Sequence, residues 1–341
     1  MEKVIAKKDW LSFLAHIGKK RTLIGPVSKG NDFVFAKVDD PAKITLPYVP
    51  TILPPQKALV PQKEALLKFE LGKEHKVFAE VEAEPQVLVG VHPCDINALW
   101  VIDQAFTKEY VDYNYLKRKE LTTIIGLNCN EPCDDKSFCY DMGSLKAEEN
   151  YDIMLTDIGD SYFMEVATPK GEELISGFSG VKDPTTAEKE RLSEVEEEKK
   201  KKFNYRLKVK REEIPGLLER SYYSLIWDAL GDRCLGCGTC TLVCPTCYCF
   251  NIEDKLDITL KTGERIRVWD SCQLESFAKV ATGENFRESR AARQRHRVFR
   301  KGKYLVERFG KFGCVGCGRC VRQCVVNIDI RDIFNQLKGV K

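Results

Sequence analysis

The sequence predicts two units: an α/β N-terminal domain over residues 1–180, and a smaller, cysteine-dense C-terminal domain over 215–341 of α+β or α-helical make-up. Three observations predict this. Two short apolar runs, 86–91 and 121–127, flank an amphipathic stretch, the strand–helix–strand signature of a parallel pair. A densely charged stretch, 187–202, separates the halves. Beyond it the spacing Cys-x2-Cys-x2-Cys-x3-Cys occurs twice.

Along the chain, Trp10, Phe13, Leu14 and Ile17 fall at helical spacing, with Asp9 as the expected cap and Gly18 as the stop. Residues 22–25 and 33–35 read as short strands, and prolines hold 51–55 extended. The continuous apolar character of 86–91 and 121–127 is that of strands buried on both faces. Between them Asp95 is expected to cap a helix carrying Ile96, Leu99, Trp100 and Ile102. Residues 153–155 and 162–167 add strands. Residues 181–214 read as a charged helical linker, with Glu–Lys pairs at i,i+4. Pro215 opens a helix expected to run through Trp227 and Leu230.

Composition narrows the function classes. The 341 residues allow about two domains. At 43% hydrophobic and 31% charged, the chain can bury a core. A net charge of +3 does not call for nucleic acid. The first residues lack an apolar export segment and no apolar run approaches about 18 residues, so a cytoplasmic location and no membrane span are expected. The 15 cysteines are too many for a bland reading. Disulfide frameworks belong to short secreted chains, so clustered thiols here point to an inorganic cofactor.

The two runs are Cys234-Leu-Gly-Cys237-Gly-Thr-Cys240-Thr-Leu-Val-Cys244 and Cys314-Val-Gly-Cys317-Gly-Arg-Cys320-Val-Arg-Gln-Cys324. This spacing is the bacterial [4Fe–4S] pattern, in which the fourth cysteine ligates the other cluster. Three thiolates on a tight loop reach three irons of one cube, and the next helical turn carries the fourth away. Cluster 1 is therefore assigned to Cys234, Cys237, Cys240 and Cys324. Cluster 2 is assigned to Cys314, Cys317, Cys320 and Cys244, so residues 215–341 are expected to form a ferredoxin-like dicluster domain. Gly236, Gly238, Gly316 and Gly318 let backbone amides approach the sulfurs. Zinc, the alternative, takes ligands in pairs and does not need a third cysteine at the same spacing twice. Val325 follows Cys324 where proline is usual, but proline ligates nothing. Cys247, Cys249 and Cys272 read as small buried residues beside the cofactor, with alternative ligation left open.

The run Cys244-Pro-Thr-Cys-Tyr-Cys249, then Trp269-Asp-Ser-Cys272, Gly283-Glu-Asn-Phe-Arg287 and the second cysteine run resemble the β subunit of cytoplasmic sulfhydrogenases and its iron–sulfur relative in anaerobic sulfite reductase. Upstream, 54–61 and Gly90-Val-His-Pro-Cys-Asp95 match the same family, so the resemblance covers nearly the whole chain and is weakest at 187–202. It implies an iron–sulfur electron-transfer subunit of a hetero-oligomer in anaerobic metabolism. One partner would be a flavin- and NAD(P)-binding subunit. The other would be a catalytic redox partner: a hydrogenase, a sulfite or sulfur reductase, or a heterodisulfide-reductase-type module.

Four further cysteines lie upstream: Cys94, Cys129, Cys133 and Cys139. Cys94 and Cys129 each follow one of the buried strands. If those strands are parallel neighbours, both thiols emerge at one carboxyl edge, where α/β folds place ligands. Four thiolates suit a third [4Fe–4S] cube. The family usually carries Cys-Phe-Cys where this chain has Ser137-Phe138-Cys139, with Cys133 displaced upstream. Free buried cysteines and a structural zinc are the alternatives. Asp95, Asp134 and Asp135 are expected to add negative charge there and lower the potential.

Dinucleotide and P-loop fingerprints are missing, so no NAD or FAD is expected in this chain. No hydrolase or metalloprotease motif is present either, and no catalytic acid–base residue is assigned. His92, beside Cys94, reads as a cluster-tuning residue or a satisfied loop histidine. The basic stretch 287–303 reads as internal screening of anionic cubes together with subunit contact. Two rival functions stay open: a stand-alone iron–sulfur enzyme with substrate at an open-site N-terminal cluster, and a zinc-stabilised scaffold.

Overall fold

The computed structural model describes residues 1–340. Its strands are β1 Glu2–Ala6, β2 Thr22–Lys29, β3 Asp32–Val38, β4 Lys63–Glu70, β5 Lys76–Ala79, β6 Gln86–Val91, β7 Thr122–Leu127, β8 Ile153–Asp157, β9 Ser161–Val166, β10 Val181–Lys182, β11 Phe250–Leu256 and β12 Thr262–Trp269. They form an eight-stranded sheet in the order β10-β1-β9-β8-β7-β6-β2-β3 and a four-stranded sheet in the order β11-β12-β4-β5. The centre of the large sheet, β2-β6-β7-β8, is parallel, and its flanks are antiparallel.

Successive side chains of a strand face opposite ways, and β6 uses both. Val87 and Val89 enter the core shared with Trp10, Phe13, Leu14 and Ile17 of the helix Lys7–Gly18. Leu88 and Val91 enter the core shared with Ile96, Leu99 and Ile102 of the helix Pro93–Thr107. Every residue of β6 and β7 is buried, which explains their unbroken apolar runs. Each such Val, Leu or Ile contributes about 1.5–3 kcal/mol by leaving water.

Both expected caps are displaced. Ala6 precedes the first helix and Asp9 lies inside its first turn. His92 precedes Pro93–Thr107, with Pro93 in the first turn, where its missing N–H costs nothing. Asp95 faces away, into an ion pair described below. The helix expected from Pro215 to Leu230 is two, Ile214–Arg220 and Ile226–Arg233. The Trp227 indole N–H donates to the Ser221 carbonyl at 2.6 Å, satisfying the end of the first helix across the break.

The charged stretch forms the helix Thr186–Lys202, opened by a capping box between Thr185 and Glu188. It is not free of the N-terminal layers. β10 pairs with β1, and Val195 packs on Val4, Ile158 and Phe163. The small sheet also joins the two halves of the sequence, pairing β4 with β12. Glu64 on β4 holds it there, accepting from Arg267 of β12 at 2.6 and 2.9 Å and from buried Arg118. The C-terminal core is helical: Ile214, Leu218, Trp227, Leu230, Val298, Phe299, Ile333, Phe334 and Leu337. No helix among the described residues is long and apolar enough to cross a membrane.

Candidate functional site

Each cysteine run turns through two glycines at positive φ, then enters a short helix: Thr239–Leu242 after Gly236 and Gly238, and Arg319–Arg322 after Gly316 and Gly318. Cys234, Cys237, Cys240 and Cys324 line one small cavity with Gln273, Gln294, Arg297 and Ile328. Donors already point at its sulfurs. Gln294 Nε2 lies 3.0 Å from Cys234 Sγ, the Gly236 amide 3.3 Å from the same sulfur, and the Ile328 amide 3.3 Å from Cys324 Sγ. Cys314, Cys317 and Cys320 gather around Cys244, which influences the thiols of all three. The fourth cysteine of each run thus lies with the first three of the other.

Buried cations lie between these groups. Arg297 faces Cys240, Cys320 and Cys272, and Lys301 faces Cys244 and Cys247. Both are under 7% exposed, and no carboxylate within ion-pair distance answers either among the described residues. A buried uncompensated cation is costly, so the surrounding sulfurs must carry negative charge. Burial pushes the Cys240 thiol up to about 12, while Arg297 opposes the shift. This fits thiolates held by an electron-poor metal centre, and the residues present suit [4Fe–4S] clusters. The basic stretch therefore turns one side inward, with Arg293, Arg297 and Lys301 buried and Arg290 exposed.

The third group lies where the parallel strands end. Cys94, Cys129, Cys133 and Cys139 line one cavity with Ser137, Ser144, Phe203 and, unexpectedly, Cys317 of the second run. The Cys133 thiol is held down to about 5, chiefly by a hydrogen bond with Cys129, then by His92. Burial raises Cys94, and Cys139 to about 12. His92 is buried and stacked on Tyr48 at 4.1 Å, and its Nδ1 finds no partner. Its donor atoms and those of Cys129 and Cys133 all lie within 4.8 Å of one another. The sequence marks His92 only as a neighbour of Cys94; the convergence with Cys129 and Cys133 depends on a loop 37 to 41 residues downstream.

The expected surplus of negative charge is largely cancelled. Asp95 pairs with Arg319 at 2.5 Å, and Asp134 pairs with Arg322, whose Nη2 lies 2.8 Å from Oδ1. Asp135 is exposed and paired with Lys136, while Glu131, which lines the cavity, lies 4.0 Å from Lys202. The loop bearing Cys133 and Cys139 is fastened to the second run. The Phe138 amide donates to the Gly316 carbonyl at 2.7 Å, and the Ser144 hydroxyl donates to the Val315 carbonyl. A Cβ on Gly316 would lie 2.5 Å from the Phe138 carbonyl, so the approach requires glycine.

Cys247 lies within hydrogen-bonding reach of Cys244, and with Cys249, Cys272 and Lys301 it lines a separate cavity of about 340 Å³.

A family model for a 4Fe-4S dicluster domain matches residues 233–328. The chain is 31% identical over 332 residues to sulfhydrogenase 2 subunit beta of Pyrococcus furiosus, covering 97% of this chain and 95% of that protein. No solved structure matches. With a duplicated thiol array inside the matched domain and a full-length relative at this identity, the chain belongs to the sulfhydrogenase β-subunit family.

Proposed function

We propose that this chain relays single electrons between a flavin- and NAD(P)-binding partner and a catalytic redox partner, within a cytoplasmic hetero-oligomer. The relative's name describes a subunit of a sulfhydrogenase, which supports assembly with other chains. The observation that carries the reading is the exchange of fourth cysteines, Cys244 lying with Cys314, Cys317 and Cys320 while Cys324 lies with Cys234, Cys237 and Cys240.

When bound at these thiols, [4Fe–4S] clusters supply one-electron redox chemistry, tunable over roughly −700 to +450 mV. The protein's own residues do the rest. Cys234, Cys237, Cys240 and Cys324 hold the first cluster, and Cys314, Cys317, Cys320 and Cys244 the second. The Gly236 and Ile328 amides and Gln294 donate to sulfur, which favours the reduced state. Arg297 offsets charge on both sides at once. No side chain is required to move a proton.

Cys94, Cys129, Cys133 and Cys139 would hold a third cluster, with Cys317 as the link toward the second. A mononuclear ion on His92, Cys129 and Cys133 is a second reading of that site, favoured by their mutual distances.

Purification of the native complex tests the proposal. A flavoprotein and a catalytic redox subunit should co-purify, and the isolated chain should accept electrons without turning over the catalytic partner's substrate. A chain that purifies alone, or that turns over the catalytic partner's substrate by itself, overturns it.

A further inference from the structure

The cavity of about 340 Å³ is unlike the small cluster cavities around it. Cys247, Cys249 and Cys272 line it, together with Arg297, Arg300 and Lys301 and the aromatic rings of Tyr248, Phe250 and Phe277. No carboxylate lines it. The three cations recur at i, i+3 and i+4 where the helix Arg290–Phe299 passes into a π-turn over Arg300–Tyr304, a distortion that concentrates at functional sites. Its size and apolar walls suit a small organic molecule, and its cationic lining, free of carboxylates, favours an anion.

Two of its thiols are a pair. Cys249 and Cys272 are within hydrogen-bonding reach of each other, and Lys301 faces both. The backbone favours this: the Asp270 amide donates to the Cys249 carbonyl at 3.0 Å, at the end of the β11–β12 ladder. Gln273 Nε2 donates to Cys272 Sγ at 3.6 Å, and Arg297 faces the same sulfur. Neither cysteine belongs to the eight of the duplicated runs.

We infer that Cys249 and Cys272 form a redox-active dithiol whose cavity takes a small anionic disulfide. Cys272, the sulfur faced by cations, attacks one sulfur of the substrate. The substrate S–S bond breaks, the first thiolate leaves with a proton, and a mixed disulfide remains on Cys272. Cys249 then attacks Cys272 Sγ, loses its proton to the second leaving thiolate, and closes the Cys249–Cys272 bond. One disulfide is reduced to two thiols and one dithiol is oxidised. Two protons and two electrons restore it. One-electron donors of the iron–sulfur class supply the electrons, and only this return step rests on the relay proposed above.

The test uses the full chain, prepared anaerobically, with iron and sulfide counted before and after exposure to 5,5′-dithiobis(2-nitrobenzoate), an anionic aromatic disulfide. With Cys247 replaced by serine throughout, two thiols should be released per chain, iron should be retained, and peptide mass analysis should find Cys249 joined to Cys272. C249S should stop after one thiol, with the adduct on Cys272. With Cys249 and Cys272 both present the anionic reagent should outpace neutral 2,2′-dithiodipyridine by at least tenfold relative to a free thiol, and K301Q should erase that advantage. Free Cys249 and Cys272 after treatment, with iron retained, overturn the inference and leave the relay untouched. Thiols that react only after a chelator strips metal from them overturn it in favour of a metal site. A starting protein without iron counts against the relay alone, since peptide mass analysis still shows whether Cys249 is joined to Cys272.

Discussion

Arg319 and Asp95 form a bidentate ion pair at 2.5 and 2.8 Å, with both side chains 1% exposed. Arg319 directly precedes Cys320 and Asp95 directly follows Cys94, so one pair of charges ties the second cysteine run to the upstream cysteine group. Arg319 also donates to the Thr51 carbonyl at 2.8 Å. Desolvating two charges is expensive, and pairing with full hydrogen bonding offsets that cost.

Breaking this pair from one side leaves a buried guanidinium alone. Asp95→Asn should destabilise the chain by about 3–5 kcal/mol. Anaerobic urea denaturation of the metal-loaded protein measures it. A loss under about 1 kcal/mol, the range of an exposed pair, would show that the pair is solvated.

Arg297 faces thiols from both runs and no carboxylate. Removing its charge should make the neighbouring centres harder to reduce. Arg297→Gln should lower their midpoint potentials by roughly 60 mV or more, a tenfold change in a one-electron equilibrium. Arg295→Gln, whose guanidinium lies over Tyr222 instead, should leave them in place. Redox titration followed by electron paramagnetic resonance reads both, and equal shifts in the two variants would refute a local role for Arg297.

The upstream site can be decided by metal content. Cys133→Ser should remove about four irons per chain, while His92→Gln should retain them, if the four thiols hold a cube. Loss of a single zinc ion from both variants, at constant iron, would assign the site to the mononuclear arrangement.

Gly316 marks the contact between the upstream loop and the second run. Its φ is +65°, and a Cβ would meet the Phe138 carbonyl at 2.5 Å. Gly316→Ala should cost about 1–3 kcal/mol. Gly310 has φ +79° with nothing within 4 Å, so Gly310→Ala should cost only the left-handed penalty of about 1 kcal/mol. Thermal unfolding of the two variants separates the terms; equal losses would show that the loop yields to the added methyl.

Much of this arrangement is legible in local sequence. β6 and β7 announce themselves because both faces are buried, and their parallel pairing carries Cys94 and Cys129 to one edge. The duplicated runs are legible because cluster chemistry fixes spacing. What is not legible is long-range. Nothing in residues 63–79 signals pairing with a strand near 262, because registry between distant strands is set by side chains such as Glu64 and Arg267 that meet only after folding. Asp95 resembles a helix cap because its partner lies 224 residues away. The break at 221–225 is hidden for a similar reason: an apolar helical pattern continues across it, and only the Trp227 indole reveals the turn. Cys317 carries a complete local role, which conceals its place in the upstream cavity.

The most direct measurement is joint iron, sulfide and zinc analysis of the anaerobically purified chain, followed by electron paramagnetic resonance during stepwise reduction. Three cubes predict iron and sulfide near about twelve each per chain, with spectra broadened by coupling between adjacent centres. A sample that carries zinc at these thiols and stays silent on reduction would contradict the account.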